Sequence, residues 1–331
     1  MNTHSLSPLL QRFFTDRLLQ QLGASPHTIA SYRDTFRLLL RFALKRLERT
    51  PSDLRFEELD TSLVGDFLEH LERGRHNSTR TRNNRLAALR AFFRYVSVNE
   101  PALALHCQRL LAIPAKRYAR GPVEFLTEEE TAALVAAPDP DTWIGRRDGV
   151  LMLVALQTGL RNSELILLRC DDVAFGAGAH VRCLGKGRKM RCTPLRSDVC
   201  AALKQWLSEQ CGDPGDPVFP SCRGGRLSPD AFQRLVTRHA ATARLSCPSL
   251  EVKTVTPHTL RHTAAMDLLR RGVSLSVIAL WLGHESTETT QIYLHADMRL
   301  KEQALAHATS SGAAPARFRP ADSLLAFLEG L

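Results

Sequence analysis

Five short fragments, far apart in the chain, hold its most reactive side chains. They are Thr158-Gly159-Leu160-Arg161-Asn162-Ser163-Glu164-Leu165, Gly185-Lys186-Gly187, His258-Thr259-Leu260-Arg261-His262, Leu282-Gly283-His284, and the single residue Tyr293. Together they supply two arginines, one lysine, two or three histidines and one tyrosine, with neither a carboxylate pair nor a phosphate-cradling glycine loop beside them. A guanidinium fork matches the non-bridging oxygens of a phosphate, and its bonds strengthen as negative charge builds in a transition state. A tyrosine can be the nucleophile that exchanges one phosphodiester bond for another. Its phenol ionises near pH ~10, so attack at neutral pH needs a base or strong positive charge beside it. A histidine supplies the first and the arginines the second. The leaving 5′ oxygen needs a proton, which a lysine on a mobile hairpin tip is suited to deliver.

Spacing supports a common site. His258 and Arg261 stand three apart at a helix start, so both project from one face toward the electropositive end, where a phosphate would sit. After Tyr118 the chain contains no tyrosine other than Tyr293. Each fragment also has a plain structural reading. Arg161 can pair with Glu164 as an ordinary ion pair, and Lys186 can be an exposed turn residue. His284 can cap a helix C-terminus, and Tyr293 can be a core aromatic. His258 and His262, four apart, could chelate a metal, but no acidic or cysteine third ligand stands at a recognisable spacing, and no metal is expected. Each plain reading is reasonable singly. All of them holding at once, in this order, is not.

In these residues the chain resembles the tyrosine recombinases of the phage integrase and Xer type. The resemblance rests on T-G-L-R-x-S-E-L around Arg161, a hairpin lysine at Lys186, H-x-L-R-H at His258 and Arg261, and L-G-H followed by T-T-x-x-Y ending at Tyr293. It spans residues 125 to 300 and keeps the order of every element. It implies that Arg161 and Arg261 bind the scissile phosphate and that His258 accepts or donates a proton. It further implies Lys186 as general acid, His284 as a hydrogen-bond donor to the phosphate, Glu164 as a buttress and Tyr293 as the residue that forms a 3′-phosphotyrosyl link. The implied reaction needs no cofactor, neither metal nor ATP, because the covalent intermediate conserves the bond energy. The implied partners are double-stranded DNA and further copies of the chain, as a tetramer on two DNA sites in which related recombinases can take part. The expected function is a site-specific recombinase, the integrase or transposase of a mobile element. Two rivals share parts of the inventory: a type IB topoisomerase, which would relax plasmids without site preference, and a DNA-binding protein that has lost the chemistry. Retention of all six reactive residues argues against the second.

These residues need elements to position them. Residues 1–112 read as a helical unit: Ser25-Pro26 opens one helix, a second begins near Thr61, and a third runs from about Ser78 to Val98. Residues 113–123 contain two prolines and no periodicity and read as a linker. The second unit, 124–309, starts at the capping box Thr127-Glu128-Glu129-Glu130, followed by a buried helix from about Arg147 to Gly159. Ala179–Leu184 and Arg188–Pro194 flank Gly185-Lys186-Gly187 as a β-hairpin. Thr256-Pro257, Ser274 and Ser286 open three helices, the last carrying Tyr293. Residues 310–331 read as a flexible tail in which Leu324, Leu325, Phe327 and Leu328 form an apolar strip for a neighbouring subunit. The fold class expected is therefore mainly α with a small antiparallel β-sheet. The resemblance implies a SAM-like, DNA-clasping helical domain followed by a tyrosine-recombinase catalytic domain.

The chain has 331 residues and a net charge of +10, and 44% of it is hydrophobic, which excludes disordered and fibrous classes. Residues 1–120 hold 20 basic and 11 acidic side chains, so the excess sits in the first unit. Between Arg73 and Asn99 there are seven arginines and no carboxylate. Such a one-signed field attracts a polyanion through counterion release. Arg75, Arg80, Arg82, Arg85 and Arg90, with Lys116 and Arg117 of the linker, are the candidate DNA contacts. The apolar run Val150–Leu156 has only seven residues, far short of a membrane span. The N-terminus is broken by Arg12, Asp16 and Arg17, so export is not expected. Eight scattered cysteines without a CxxC pair point to reduced thiols in the cytoplasm.

Overall fold

A computed structural model describes residues 4–119, 123–185, 190–210, 212–283, 290 and 293. The chain divides into two compact units, Met1–Arg120 and Gly121–Leu331.

The first unit is helical. Helix α1 (Leu6–Arg12) continues into a π-helical stretch, Phe13–Gln21. It is followed by α2 (Pro26–Leu47), α3 (Thr61–Arg73), α4 (Thr79–Asn99) and α5 (Ala104–Leu111). Three helix starts are fixed by side-chain caps that satisfy otherwise orphaned N–H groups. Ser25 accepts from the Thr28 N–H, Asp60 from that of Leu63 and Ser78 from that of Thr81. Apolar residues recurring at helical spacing then meet in one core. Phe13, Phe36, Phe56, Phe92 and Phe93 are all at most 3% exposed, and the Phe36 and Phe92 rings meet edge to face at 5.2 Å.

Helix α4 does not present all of its candidate DNA contacts to solvent. Arg82 is 6% exposed and donates to the Pro114 carbonyl at 3.0 Å, while half-buried Arg90 donates to the Ile113 carbonyl. Arg85 is also half-buried, 3.5 Å from the Thr35 hydroxyl. A guanidinium is a good staple for such a place, because its donors reach main-chain carbonyls that would otherwise be lost on burial. The start of the expected linker is accordingly fastened to α4, with the Lys116 N–H donating to Asn83 and the Lys116 ammonium to Glu72. Arg75, Arg80 and Arg117 are exposed.

The second unit begins with α6 (Glu128–Ala136), whose capping box forms as read, and α7 (Trp143–Thr158). Helix α7 starts a turn earlier than Arg147 because the Thr142 hydroxyl caps the Gly145 N–H. After the short α8 (Asn162–Ile166) comes a three-stranded antiparallel sheet of β1 (Val173–Ala174), β2 (His180–Leu184) and β3 (Met190–Pro194), in that order. Strand β1, at two residues, is too short to show alternation in sequence. The β2–β3 register pairs Cys183 with Arg191. Helices α9 (Ser197–Gln210), α10 (Pro229–Ala243), α11 (Pro257–Arg270) and α12 (Leu275–Leu282) complete the described α-helices. The fully buried Asp148 of α7 accepts from Arg147, Arg238 and His239, which ties α7 to α10. Among the described residues no helix is long and apolar enough to cross a membrane. The Lys186 turn, His284, the helix start at Ser286 and the tail strip lie outside the described residues.

Candidate active site

The site is built around two turns that touch. Helix α7 ends at Gly159 in a left-handed conformation, φ +61°, and α12 ends at Gly283 with φ +65°. A Cβ on Gly159 would lie 2.6 Å from Leu282 Cδ2, so a side chain there would be both strained and obstructed. The Trp281 indole closes the junction by donating to the Thr158 carbonyl at 3.1 Å.

Both predicted arginines converge here. Arg261, in the second turn of α11 and 4% exposed, donates to the Gly159 carbonyl at 2.5 Å and the Leu282 carbonyl at 2.7 Å. Arg161, the N-cap of α8, donates to the Gly283 carbonyl at 2.7 Å and to Glu164 at 2.8 Å. Two guanidiniums from distant segments thus hold the adjacent carbonyls of residues 282 and 283. An arginine carries five N–H donors, so a fork held in this way by the protein can still donate to an anion.

Among the described residues Glu164 is the carboxylate in this cluster. Its side chain is 4% exposed, and it accepts from the Arg161 N–H, the Arg161 guanidinium and both terminal nitrogens of Arg191 on β3. Burial pushes its carboxyl upward, but these donors outweigh that and hold it below the usual value. Among the described residues Arg161 and Arg191 thus share one carboxylate, and Arg261 adds a third positive charge close by. The excess shows on Arg261, whose guanidinium is pushed down to about 10 by burial first and then by the charge of Arg161. A buried site with surplus positive charge favours an anionic occupant.

Tyr293 lies 1% exposed among Ala265, Met266, Leu269, Ile278 and Leu282 of α11 and α12. Its phenol oxygen is 2.9 Å from His262 Nδ1, and the His262 ring meets His258 at 4.3 Å. Burial pushes the phenol up to about 12, against the opposing pull of the Arg261 charge. His258 itself is exposed, one turn before His262.

The structure brings Arg161, Arg261 and Glu164 to one turn and places His258, His262 and Tyr293 along the neighbouring face of α11. Sequence reasoning missed two participants. His262 was weighed only as a metal ligand, although it is the partner of the phenol. Arg191 was not singled out at all. Its signal was an arginine in phase with Thr193, the fully buried position of β3.

A helical unit followed by a mainly helical unit with a small antiparallel sheet, an arginine clamp and a single late tyrosine defines the class of strand-exchange enzymes that work through tyrosine. The chain belongs to the phage integrase family: the family profile matches residues 124–299, and the profile of the phage integrase N-terminal SAM-like domain matches residues 10–98. It is 55% identical over 328 residues, 99% of this chain and 98% of the relative, to the putative integrase/recombinase y4rC of Sinorhizobium fredii (strain NBRC 101917 / NGR234). It is 32% identical over 300 residues, 87% and 92% of the two chains, to the tyrosine recombinase XerD of Pseudomonas aeruginosa. Among solved structures, the site-specific recombinase XerH, in a post-cleavage complex with its palindromic difH substrate, superposes with a TM-score of 0.70. That match has 23% identity and covers 86% of this chain and 81% of that one, a likeness of fold. The protein is a site-specific tyrosine recombinase, an enzyme of DNA strand cleavage and religation.

Proposed function

We propose that this recombinase moves a mobile element, and that Arg161, Lys186, His258, Arg261, His284 and Tyr293 carry its chemistry. The observation that bears most weight is the meeting of Arg161 and Arg261 at the carbonyls of residues 282 and 283. In the step we assign, the Tyr293 oxygen attacks the scissile phosphorus and its proton passes to the His258–His262 pair. The bond from phosphorus to the 5′ oxygen breaks, and that oxygen takes a proton from Lys186. The two guanidiniums and His284 stabilise the charge gathering on the non-bridging oxygens. A 5′ hydroxyl from a second strand then attacks the phosphotyrosine and reverses each transfer, so no external energy source enters. Glu164 buttresses Arg161. Arg75, Arg80 and Arg117, exposed on the first unit, track the phosphate backbone, and Arg85, Arg90 and Lys116 contribute through their remaining donors.

The assembly that fits this reaction is a tetramer on two DNA sites, and cytoplasmic residence follows from its substrate. The likeness to a putative integrase/recombinase supports the mobile-element assignment. The test is a duplex nicked beside the cleavage position, which traps the covalent complex. Wild type should accumulate the adduct, and Tyr293→Phe should bind equally and form none. An adduct with Tyr293→Phe would overturn the assignment, and plasmid relaxation without site preference would move it toward a topoisomerase.

A further inference from the structure

We propose that Arg191 is a positioning residue of the recombination site: through Glu164 and the turn at Gly283 it fixes the Arg161 guanidinium on the scissile phosphate. This rests on the assignment of Arg161 to the phosphate clamp and deepens it.

Three observations carry the inference. The first is the fork of Arg191 on Glu164, with Nη1 3.1 Å from Oε1 and Nη2 2.7 Å from Oε2. The same two oxygens accept from Arg161, Oε1 from its guanidinium and Oε2 from its backbone N–H. One carboxylate thus sits between the Arg191 fork on one side and the Arg161 guanidinium and backbone N–H on the other, and its rotamer is set from both sides. A bidentate pair fixes orientation as well as distance, which a lone ammonium does not. The second is burial. The Arg191 side chain is 12% exposed against 30% for Arg161, so Arg191 is the more withdrawn from solvent of the two. The third is the approach to Gly283, where a Cβ would lie 2.2 Å from Arg191 Nη1. A side chain at position 283 would be strained by its positive φ and would have to displace this guanidinium, and the Gly283 carbonyl receives Arg161. Arg191 therefore touches both partners of Arg161, the carboxylate and the turn. Its strand pairs with β2 at Cys183, so the sheet is keyed to the clamp at this point.

The test uses two nicked duplexes, one with an ordinary scissile phosphodiester and one with a methylphosphonate there, which lacks the charged oxygen that a guanidinium clamps. Single-turnover adduct formation is measured on both with the full chain, alongside DNA binding. Arg191→Met should slow phosphodiester cleavage about 100-fold, the usual consequence of misplacing a clamp by an ångström. On the methylphosphonate the deficit should shrink to under about tenfold, since less depends on the misplaced charge. Arg191→Lys keeps the charge without the fork and should fall between wild type and Arg191→Met; it also serves if the methionine variant does not fold. Equal deficits on the two substrates, or cleavage within about twofold of wild type, overturn the positioning role. Arg161→Ala is the companion: if it cleaves normally, the underlying clamp assignment has failed, a result distinct from failure of the Arg191 proposal alone.

Discussion

His262 Nδ1 lies 2.9 Å from the phenol oxygen of Tyr293, so in the free protein the candidate nucleophile is engaged by its neighbour within an apolar pocket. Breaking that bond leaves a buried hydroxyl without its partner. His262→Ala should cost about 1–3 kcal/mol of stability, and a double-mutant cycle with Tyr293→Phe should recover part of it. Urea denaturation of the four proteins measures the coupling; strict additivity would show that the contact contributes nothing.

The same pocket predicts an alkaline response. The Tyr293 phenol is held up at about 12, so the folded state favours the protonated form. The resulting stabilisation is fully present below the ordinary tyrosine value of about 10 and is lost as pH rises through about 12. Tyr293→Phe should remove this component from the stability curve above pH ~10, as followed by circular dichroism.

Glu164 predicts the acid response. Its carboxyl is held below its ordinary value of 4.5, so its contribution is present above that pH and fades as pH falls through the lowered value. Glu164→Gln breaks a buried ionic cluster and should cost about 3–5 kcal/mol at neutral pH. The variant should also lose less further stability on acidification than wild type does. A parallel acid limb in both proteins would contradict the reading.

Arg261 should tolerate no substitute. Arg261→Lys cannot reach the Gly159 and Leu282 carbonyls with a planar fork, and cleavage should fall by about 100-fold or more. Burial lowers any cation at this site, and lysine starts below arginine. The alkaline limb of kcat/KM should therefore move to lower pH in the variant, which a pH–rate profile on the nicked duplex would reveal.

The first unit separates two kinds of arginine. Arg75→Ala or Arg80→Ala should leave stability unchanged and reduce the salt dependence of DNA binding by about one counterion. Arg82→Met should do the reverse, lowering the denaturation midpoint because the Pro114 carbonyl loses its donor, with the salt slope intact. Affinity titrations at several salt concentrations, with melting curves, distinguish the two.

Much of this was legible in the sequence because its signals are local. The Ser25-Pro26 start, the Thr127–Glu130 capping box and the glycine ends at Gly159 and Gly283 all formed where read. What remained hidden was tertiary. Helical spacing places Arg82 and Arg90 on α4, but it says nothing of the carbonyls at Pro114 and Ile113 that take their donors. Arg191 belongs to the site only because β3 returns beside Glu164, and His262 because Tyr293 folds back onto α11.

The carbonyls under Arg161 and Arg261 bear on how the protein meets an anion. Each fork already rests on peptide oxygens of residues 159, 282 and 283. The seats engage only part of each fork, so donors remain for an anion, and what the carbonyls fix is the plane in which it is met. The enzyme's own main chain thereby sets the orientation of both guanidiniums before any substrate arrives.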